Sequence, residues 1–362
     1  MFDVTHKCGK ARTGILTTKT GKYETPFFMP VATKAAARYL TTEDLEDIGI
    51  RTIISNAFLL YLKPGLDLLQ KNGDIHEFMG WPHCSFTDSG GFQALSLKSF
   101  KGSFTDKGLE FTSPYDGSHH VLSPKSVMDI QQRIGADVAM VLDHMPLYGD
   151  SEAEVKEATE RTHRWAEECL KHHTDTSQLL FGICQGGLNE DLRKKSARFI
   201  SSLPFDGIAV GGVAIGEPVS EIEKVVKVSV AEIPEDKPRY LMGVGSPKEI
   251  IASVKMGIDM FDSVWPTRLA RHGTALTKKG TISLDKGRYT DDMNPVDETC
   301  DCKICKKYDR RYLSHLIRLQ IPLGYILLSY HNVYFLQKLF EKMRSAIRED
   351  TWEALEEEYK DV

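Results

Sequence analysis

Short apolar runs rich in β-branched and aromatic residues alternate with longer stretches of helical periodicity over most of the chain. The eight runs predicted to be strands are Phe27–Val31, Thr52–Ser55, Ser85–Asp88, Val138–Asp143, Leu179–Cys184, Gly207–Val210, Tyr240–Val244 and Ile258–Asp262. Strands that alternate with helices are typical of a parallel α/β sheet. Eight such units over about 270 residues predict a (β/α)8 TIM-type barrel, although periodicity alone leaves a doubly wound open sheet as the alternative.

The helical stretches carry their own start and stop signals. Ser123-Pro124 has the pattern of an N-cap followed by proline in the first turn, and Gly135 stands where a helix-ending glycine belongs. The segment 152–170 is amphipathic and predicts a long helix. An apolar stripe at helical spacing from His331 onward predicts a C-terminal helix that packs on the body of the protein.

Composition narrows the class of protein further. The chain has 46 Lys and Arg against 51 Asp and Glu, a net charge of −5, and 41% hydrophobic residues, which excludes a disordered, collagen-like or coiled-coil chain. No apolar run reaches the roughly 18 residues that span a bilayer. The first residues, MFDVTHKCGK, lack the apolar core of a signal peptide. We therefore expect a cytoplasmic protein that does not enter a membrane.

Polar residues follow the predicted strands where each one ends. The candidates are Asp88, Asp143, Gln185 and Asp262, with glycine pairs at 90–91, 186–187 and 211–212. A single aspartate in such a place is often an N-cap, but three carboxylates on one rim are costly without a ligand. Paired carboxylates suit glycosyl transfer, one as nucleophile and one as acid and base. A further carboxylate, an amide and exposed glycine N–H groups match the edge of guanine.

A cysteine cluster indicates a metal site. Cys300, Cys302 and Cys305 lie within six residues, and His331 follows after a gap of 25. Clustered thiolates completed by a histidine are typical of a closed, structural Zn²⁺ site, here one per chain. His315 as the fourth ligand, a His331 that does not ligate, and three free thiols are the alternatives.

These observations divide the chain into three predicted parts. They are a catalytic barrel (1–275), a zinc-binding subdomain with a helix that packs on the barrel (276–350), and a helical tail (351–362). The segment 270–300 is irregular apart from a small hairpin expected around Lys279-Gly280.

A basic strip follows the last barrel strand, and its members are Arg268, Arg271, Lys278, Lys279, Lys306, Lys307, Arg310 and Arg311. Such a strip is often only a solvated face, but beside the predicted site it favours RNA binding.

Taken together, several segments resemble the tRNA-guanine transglycosylase (queuine tRNA-ribosyltransferase) family, in its shorter, bacterial-like form. They are TDSGGFQ (87–93), SPYDG (113–117), FGICQGGLNEDLR (181–193), GGVAIGEP (211–218), PRYLMGVGSP (238–247), GIDMFDSVWPTRLARHG (257–273), CDCKIC (300–305) and YHN (330–332). The resemblance implies a barrel with a zinc subdomain, no organic cofactor and a homodimer. It also implies exchange of a tRNA guanine for a 7-deazaguanine base through a covalent ribosyl-aspartate.

The resemblance also implies a role for individual residues. Asp262 is expected to be the nucleophile and Asp88 the general acid and base. The base-binding residues are expected to be Phe92, Asp143, Gln185, Gly212, Val213 and Met242, and the RNA contacts Arg268 and Arg271. The metal ligands are expected to be Cys300, Cys302, Cys305 and His331.

Departures from the family pattern bear on the substrate. His144-Met145 replace the Glu-Cys that usually follows the pocket aspartate, so the pocket floor is expected to differ. The bulky Ile215 favours 7-aminomethyl-7-deazaguanine over queuine, whereas SPYDG and WPH also resemble queuine-using eukaryotic members. Gly91 favours exchange at wobble position 34 of tRNAs with GUN anticodons over the D-loop exchange of archaeal members.

Other functions fit the sequence less well. A non-catalytic RNA-binding accessory subunit would be expected to lose Asp88 or Asp262, and both are present. A zinc nucleobase deaminase needs an H-x-E and a P-C-x-x-C motif, which this chain lacks. A barrel glycosidase would share the carboxylates but would explain neither the cysteine cluster nor the basic strip.

Overall fold

The computed structural model describes residues 2–71, 73–91 and 102–362. Its strands are β1 (Phe2–Cys8), β2 (Ala11–Thr18), β3 (Gly21–Thr25), β4 (Phe27–Pro30), β5 (Thr52–Asn56), β6 (Cys84–Asp88), β7 (Ser103–Thr105), β8 (Gly108–Thr112), β9 (His119–Leu122), β10 (Val138–Met140), β11 (Leu179–Cys184), β12 (Gly207–Val210), β13 (Arg239–Leu241), β14 (Met260–Ser263), β15 (Thr274–Thr277) and β16 (Gly280–Ser283). Its helices are α1 (Thr42–Ile48), α2 (Ala57–Leu62), α3 (Leu66–Lys71), α4 (Ile75–Met79), α5 (Pro124–Ile134), α6 (Glu152–His172), α7 (Glu190–Ser202), α8 (Val219–Val230), α9 (Pro247–Lys255), α10 (Trp265–Arg271), α11 (Lys303–Lys307), α12 (Arg310–Arg318), α13 (Pro322–Glu349) and α14 (Trp352–Glu358).

Eight parallel strands form a barrel, as predicted. Their order is β4-β14-β13-β12-β11-β10-β6-β5, and every neighbouring pair in it is parallel. The ends of this sheet meet where Val31 bridges Ile54, and Ala32 N donates to Ile54 O at 2.7 Å. Because the first and last strands are joined in this way, the open-sheet alternative is wrong.

Aromatic side chains fill the barrel interior. Phe27, Phe86, Phe181 and Tyr240 come from β4, β6, β11 and β13, which alternate around the barrel, and their ring centroids are 5.7–6.4 Å apart in three contacts. Gly207 leaves room for this layer, since a Cβ there would lie 2.4 Å from the Phe181 ring. A layer of four residues from alternate strands is the usual filling of such a barrel. The interior is therefore packed, and a ligand can approach only its ends.

The predicted helices flank the barrel where their start and stop signals place them. Ser123 caps α5, with Pro124 in the first turn, and Gly135 ends the helix with φ +73°. The amphipathic segment after Ser151 is α6, which ends at His172, close to the predicted end. The buried side of α6 includes Trp165, as the apolar spacing requires.

Two antiparallel sheets were not predicted. Strands β1–β3 form one at the start of the chain, and β7–β9 form another after β6, the third barrel strand along the chain. Both are hairpin arrangements of short strands rich in Thr, Lys and His, so they lack the apolar runs by which the barrel strands were found. The sequence feature that could have indicated the first hairpin is Gly9, which lies in the turn after β1 with φ +59°.

The last part of the described chain joins a hairpin to a long helix. Strands β15 and β16 form the hairpin expected around Lys279-Gly280. Helix α13 begins at Pro322, well before His331, so the expected helix start was wrong; Pro322 in the first turn was the overlooked signal. Phe340 of α13 packs against Phe28 and Phe261 on the outside of the barrel, with centroids 6.1 and 5.7 Å away. The division at residues 275 and 350 stays a prediction.

Within the described ranges, no helix has an apolar stretch long enough to cross a bilayer, and this includes the 28-residue α13.

Candidate active site and metal centre

The parallel strands bring the predicted polar residues to one rim of the barrel. Asp88 is the last residue of β6, Gln185 follows β11 directly, and Asp262 is the third residue of β14. Asp143 follows the end of β10 after two residues, and Met242 directly follows β13. Since all eight strands are parallel, these positions share the carboxyl-terminal rim, where chemistry occurs in such barrels.

Asp262 is held by one of its two carboxylate oxygens. Its Oδ1 accepts hydrogen bonds from the Tyr240 hydroxyl at 2.6 Å and from Gly243 N at 2.8 Å. Neither of these two bonds involves Oδ2. Burial raises the pKa of Asp262 despite the lowering effect of the hydrogen bonds from Tyr240, from Gly243 N and from its own backbone N–H. The side chain is thus held in place through Oδ1.

Asp88 lies in the same part of the rim. Asn56 Nδ2 donates to its Oδ2 at 3.3 Å, while Asn56 Oδ1 caps α2 by accepting from Leu59 N at 2.7 Å. The pKa of Tyr240 is raised first by burial and then by the negative charges of both Asp262 and Asp88. Tyr240 therefore lies within the field of two carboxylates that come from different strands.

Asp143 and Gln185 form a second polar group on the rim. Gln185 Nε2 donates to Asp143 Oδ2 at 2.6 Å, and burial raises the pKa of Asp143 to about 6. Gln185 Oε1 is buried without a hydrogen-bond partner in the described part of the chain. A Cβ on Gly212 would lie 2.3 Å from this oxygen, and one on Gly91 would lie 3.3 Å from Asp143 O. The backbone at both glycines therefore lies close against this pair, most closely at Gly212.

The loop after β12 links this group to Asp262. Ala214 N donates to the Glu217 carboxylate, and Ile215 N does so at 2.9 Å. Ala214 has a positive φ of +60°, which is uncommon for a residue with a side chain. A Cβ on Gly243 would lie 4.0 Å from Val213 O. The loop thus lies beside the glycine whose N–H binds Asp262.

The residues that support the rim were not predicted from the sequence. Tyr240, Asn56 and Glu217 hold Asp262, Asp88 and the loop after β12 respectively. Tyr240 could have been found, because it lies two positions before Met242 in a strand and so shares its face. Asn56 directly follows a predicted strand, which is the position that singled out the aspartates.

The remaining predicted base-binding residues have different outcomes. Met242 is partly buried and packs against the main hydrophobic core, and Val213 is 4% exposed. Phe92 lies outside the described residues. The expected roles of Phe92, Met242 and Val213 therefore stay predictions.

His144, which departs from the family pattern, is engaged by neighbouring side chains. Its Nδ1 accepts from Arg161 Nη1 at 2.9 Å, and its ring centroid is 3.9 Å from that of Phe104 in β7. Burial and the Arg161 charge lower its pKa to about 4, so the ring is neutral at physiological pH. The contacts join the residue after Asp143 to the β7–β9 sheet.

The basic strip is divided by ion pairs within the chain. Lys278 pairs with Glu358, Arg310 with Asp292 and Arg311 with Asp309. Arg268 and Arg271 lie three residues apart on α10, which starts just after β14, so they share one helix face. Arg268 is exposed and Arg271 is partly buried. These two arginines are thus separate from the ion-paired members and close in sequence to Asp262.

Cys300, Cys302, Cys305 and His331 converge on one point. Their candidate ligand atoms all lie within 4.8 Å of one another. The three sulfur atoms lie 3.8, 3.5 and 3.4 Å from His331 Nδ1. A tetrahedral zinc with Zn–S of about 2.3 Å and Zn–N of about 2.0 Å would place sulfur and nitrogen roughly 3.6 Å apart. The donor set and its spacing fit Zn²⁺, and His315 is outside the cluster.

The surroundings of the cluster fix its ligands. His331 Nε2 lies 2.7 Å from Leu276 O, so the other ring nitrogen is held as metal-bound histidines usually are. Cys302 also caps α11, with Cys305 N 3.4 Å from its sulfur. A metal bound here would join α11, α13 and β15. With four protein ligands it would be structural.

The fold and the rim define a barrel enzyme whose carboxylates suit transfer of a sugar group, with a separate Cys3His group that could hold a metal ion. The family model for queuine tRNA-ribosyltransferase matches residues 7–361. The chain therefore belongs to the queuine tRNA-ribosyltransferase family, and it is an enzyme of the pentosyltransferase class.

Curated relatives are similar to the chain over almost its full length. The queuine tRNA-ribosyltransferase of Thermotoga neapolitana is 47% identical over 351 residues, which cover 97% of this chain and 95% of the relative. Those of Fusobacterium nucleatum and Geobacillus kaustophilus are 44% and 45% identical, each over 99% of this chain and over 96% and 95% of the relative.

Proposed function

We propose that this enzyme replaces guanine at wobble position 34 of tRNAs with GUN anticodons by 7-aminomethyl-7-deazaguanine, through a covalent ribosyl-Asp262 intermediate. The observation that carries the proposal is the state of Asp262, which Tyr240 and Gly243 hold in place through Oδ1. Asp88, the proposed acid and base, acts on the same tyrosine through its charge.

In the first step, Asp262 Oδ2 attacks the ribose C1′. The bond from C1′ to guanine N9 breaks, and the leaving base takes a proton from Asp88. Tyr240 and Gly243 donate to Oδ1, which keeps the carboxylate oriented toward the sugar. The tRNA stays attached to the enzyme while the base is exchanged.

In the second step, Asp88 removes the proton from N9 of the incoming base, and this nitrogen attacks C1′. The bond between C1′ and Asp262 then breaks and both carboxylates return to their starting states. Two displacements at one carbon retain the β-configuration of the nucleoside.

Recognition of the base is assigned to the second polar group of the rim. Asp143 accepts from the N–H donors of guanine, while Gln185 and Gly212 N–H donate to its 6-oxo group and Val213 O accepts from the exocyclic amine. Phe92 and Met242 enclose the ring. The hydrogen bond from Gln185 Nε2 to Asp143 Oδ2 supports this assignment, because it holds the two side chains together on the rim.

Discrimination between bases with small and large 7-substituents is assigned to the loop after β12. Ile215 is held by Glu217 through its backbone N–H, and its bulk favours the aminomethyl base. The alternative is a queuine-incorporating enzyme of the same family. Since His144 contacts Arg161 and Phe104, Met145 is the neighbouring residue that remains available to limit the 7-substituent.

RNA contacts are assigned to Arg268 and Arg271 on one face of α10. The wobble base has to leave its stack to reach the rim, as loop bases do in other base-modifying enzymes.

The Cys3His site would hold one Zn²⁺ and maintain the fold. A homodimer is also proposed, and light scattering showing a monomer would contradict it.

The test is incorporation of labelled guanine into unmodified tRNA, followed by separate chases with 7-aminomethyl-7-deazaguanine and queuine. We expect exchange with the wild type, release of label by the aminomethyl base, and no exchange with Asp262→Asn. Asp285→Asn, in the turn after β16, is the control, for which we expect full activity. Efficient release by queuine would favour the alternative substrate, and tRNA binding without exchange would favour an accessory subunit.

A further inference from the structure

Arg193 is a fully buried cation directly behind the rim. It lies in the first turn of α7 and is 0% exposed. Its Nε donates to Gly187 O at 2.7 Å, Nη1 to Gly211 O at 2.7 Å and Cys184 O at 3.3 Å, and Nη2 to Gly212 O at 3.1 Å. One guanidinium thus binds four main-chain carbonyls at the ends of two adjacent strands, β11 and β12.

The buried arginines of the described ranges have two kinds of partner. Arg12 donates twice to Asp259, whereas no carboxylate oxygen lies within 4.0 Å of the nitrogens of Arg193 or of Arg239, which donates to Ile233 O and Gly257 O. Burial lowers the pKa of Arg193 to about 10, so it remains a cation at neutral pH. A buried charge satisfied by carbonyls alone is costly, and such a cost points to a role beyond packing.

The geometry of the peptide bond explains what these hydrogen bonds do. In a trans peptide the C=O and the following N–H point in opposite directions. By holding Gly211 O, Arg193 turns the N–H of Gly212 away from itself, and by holding Gly212 O it does the same for the N–H of Val213. Gly187 and Gly212 have φ of +55° and +66°, which lets the chain turn these carbonyls toward the guanidinium.

The same helix also supports the neighbouring base-binding residue. Ser196, one turn after Arg193, accepts from Gln185 N at 3.0 Å and lies 2.9 Å from His163 Nε2. The pKa of His163 is lowered to about 4, chiefly by burial, so this ring is neutral. Helix α7 therefore holds both the Gln185 backbone and the Gly211–Gly212 peptides.

We propose that Arg193 is a positioning residue that fixes the Gly212 N–H for base selection. The inference rests on the proposed function, because it takes this N–H as a reader of the guanine edge. Arg193 does not touch the base. Its effect is that the donor position is set before the base arrives.

The experiment compares Arg193→Met and Arg193→Lys with a matched control on the same helix. Arg198 is exposed and pairs with Glu232, so Arg198→Met removes a guanidinium from α7 without touching the rim. For each variant, KM for guanine, KM for tRNA and inhibition by 2-aminopurine are measured. 2-Aminopurine keeps the amine but lacks the 6-oxo group that the Gly212 N–H would read.

We expect Arg193→Met to raise KM for guanine by about tenfold or more and to reduce the preference for guanine over 2-aminopurine. KM for tRNA should stay within about twofold, since the RNA contacts lie on α10. Arg193→Lys should be intermediate, because one ammonium can bind fewer of the carbonyls. Arg198→Met should match the wild type.

Unchanged KM for guanine and unchanged selectivity in folded Arg193→Met would overturn the inference. If that variant does not fold, Arg193→Lys decides: a lower melting temperature with wild-type KM and selectivity would show a purely structural role. A crystal structure of either variant gives a test independent of activity, because residues 211–213 must shift if the inference is correct. Failure of the wild type to incorporate guanine would instead contradict the proposed function.

Discussion

The barrel rim and the Cys3His cluster are built in different ways. Three of the four cluster residues lie within six positions of the chain, and all four ligand atoms are within 4.8 Å. The rim takes single residues from several strand ends, between Asp88 and Asp262. The cluster is created by local spacing completed by one helix, whereas the rim exists only because eight parallel strands end at one place.

The two regions also differ in what their polar groups contribute. A closed set of thiolates and imidazole gains binding energy from a metal, and that energy stabilises the fold. On the rim, burial raises the pKa of both Asp143 and Asp262, so ionising them is less favourable than in water. Groups held in this way are typical of sites that bind or react. The cluster should therefore be needed for stability and the rim for activity.

The largest effect that separates the two regions is expected at the cluster. Cys302→Ser removes one of four metal ligands, so we expect loss of bound zinc and a fall in melting temperature of about 10 °C or more. Cys8→Ser, in β1, should change neither. Metal analysis and thermal denaturation measure both. Full zinc content with an unchanged melting temperature would show that this cluster is not a structural metal site.

Removing one tyrosine hydroxyl at the rim and one beside the cluster tests whether the rim is the region needed for activity. Tyr240 donates to Asp262 at 2.6 Å, and Tyr330, next to the cluster, donates to Asp47 at 2.7 Å. We expect Tyr240→Phe to lower kcat roughly 10- to 100-fold, because Asp262 loses a donor that holds it. Tyr330→Phe should leave kcat unchanged. Equal kcat values for the two variants would contradict a special role for the rim hydroxyl.

The smallest predicted effect is a pH dependence of base binding. Because the pKa of Asp143 is raised to about 6, its acid form appears as the pH falls through that value. A protonated Asp143 accepts fewer N–H donors, so KM for guanine should rise several-fold between about pH 7 and pH 5. In Asp143→Asn the KM should already be high and should change little with pH. A flat KM profile for the wild type would contradict the assigned role of Asp143.

The barrel and the Cys3His cluster were predictable from sequence because their signals are direct. Each barrel strand is an apolar run, and the close spacing of Cys300, Cys302 and Cys305 is typical of a metal site. The sheets β1–β3 and β7–β9 were missed, since polar residues interrupt their strands and leave no continuous apolar run.

Supporting residues on the rim were harder to predict than the rim aspartates. Arg193 appears in sequence as one more charged residue of an amphipathic helix. Its role depends on four carbonyls that only the folded loops bring within reach. Aspartates at strand ends can be recognised by their position. The residues that orient them, such as Tyr240, cannot be told from ordinary core residues in the sequence.

The most direct test of the central claim is to identify the residue that becomes attached to the ribose. Wild-type enzyme would be mixed with unmodified tRNA, stopped in denaturant and analysed by denaturing gel and peptide mass spectrometry. We expect a protein–RNA adduct on Asp262 that is absent from Asp262→Asn, together with loss of exchange in that variant. An adduct on another residue, or guanine exchange by Asp262→Asn, would contradict the account.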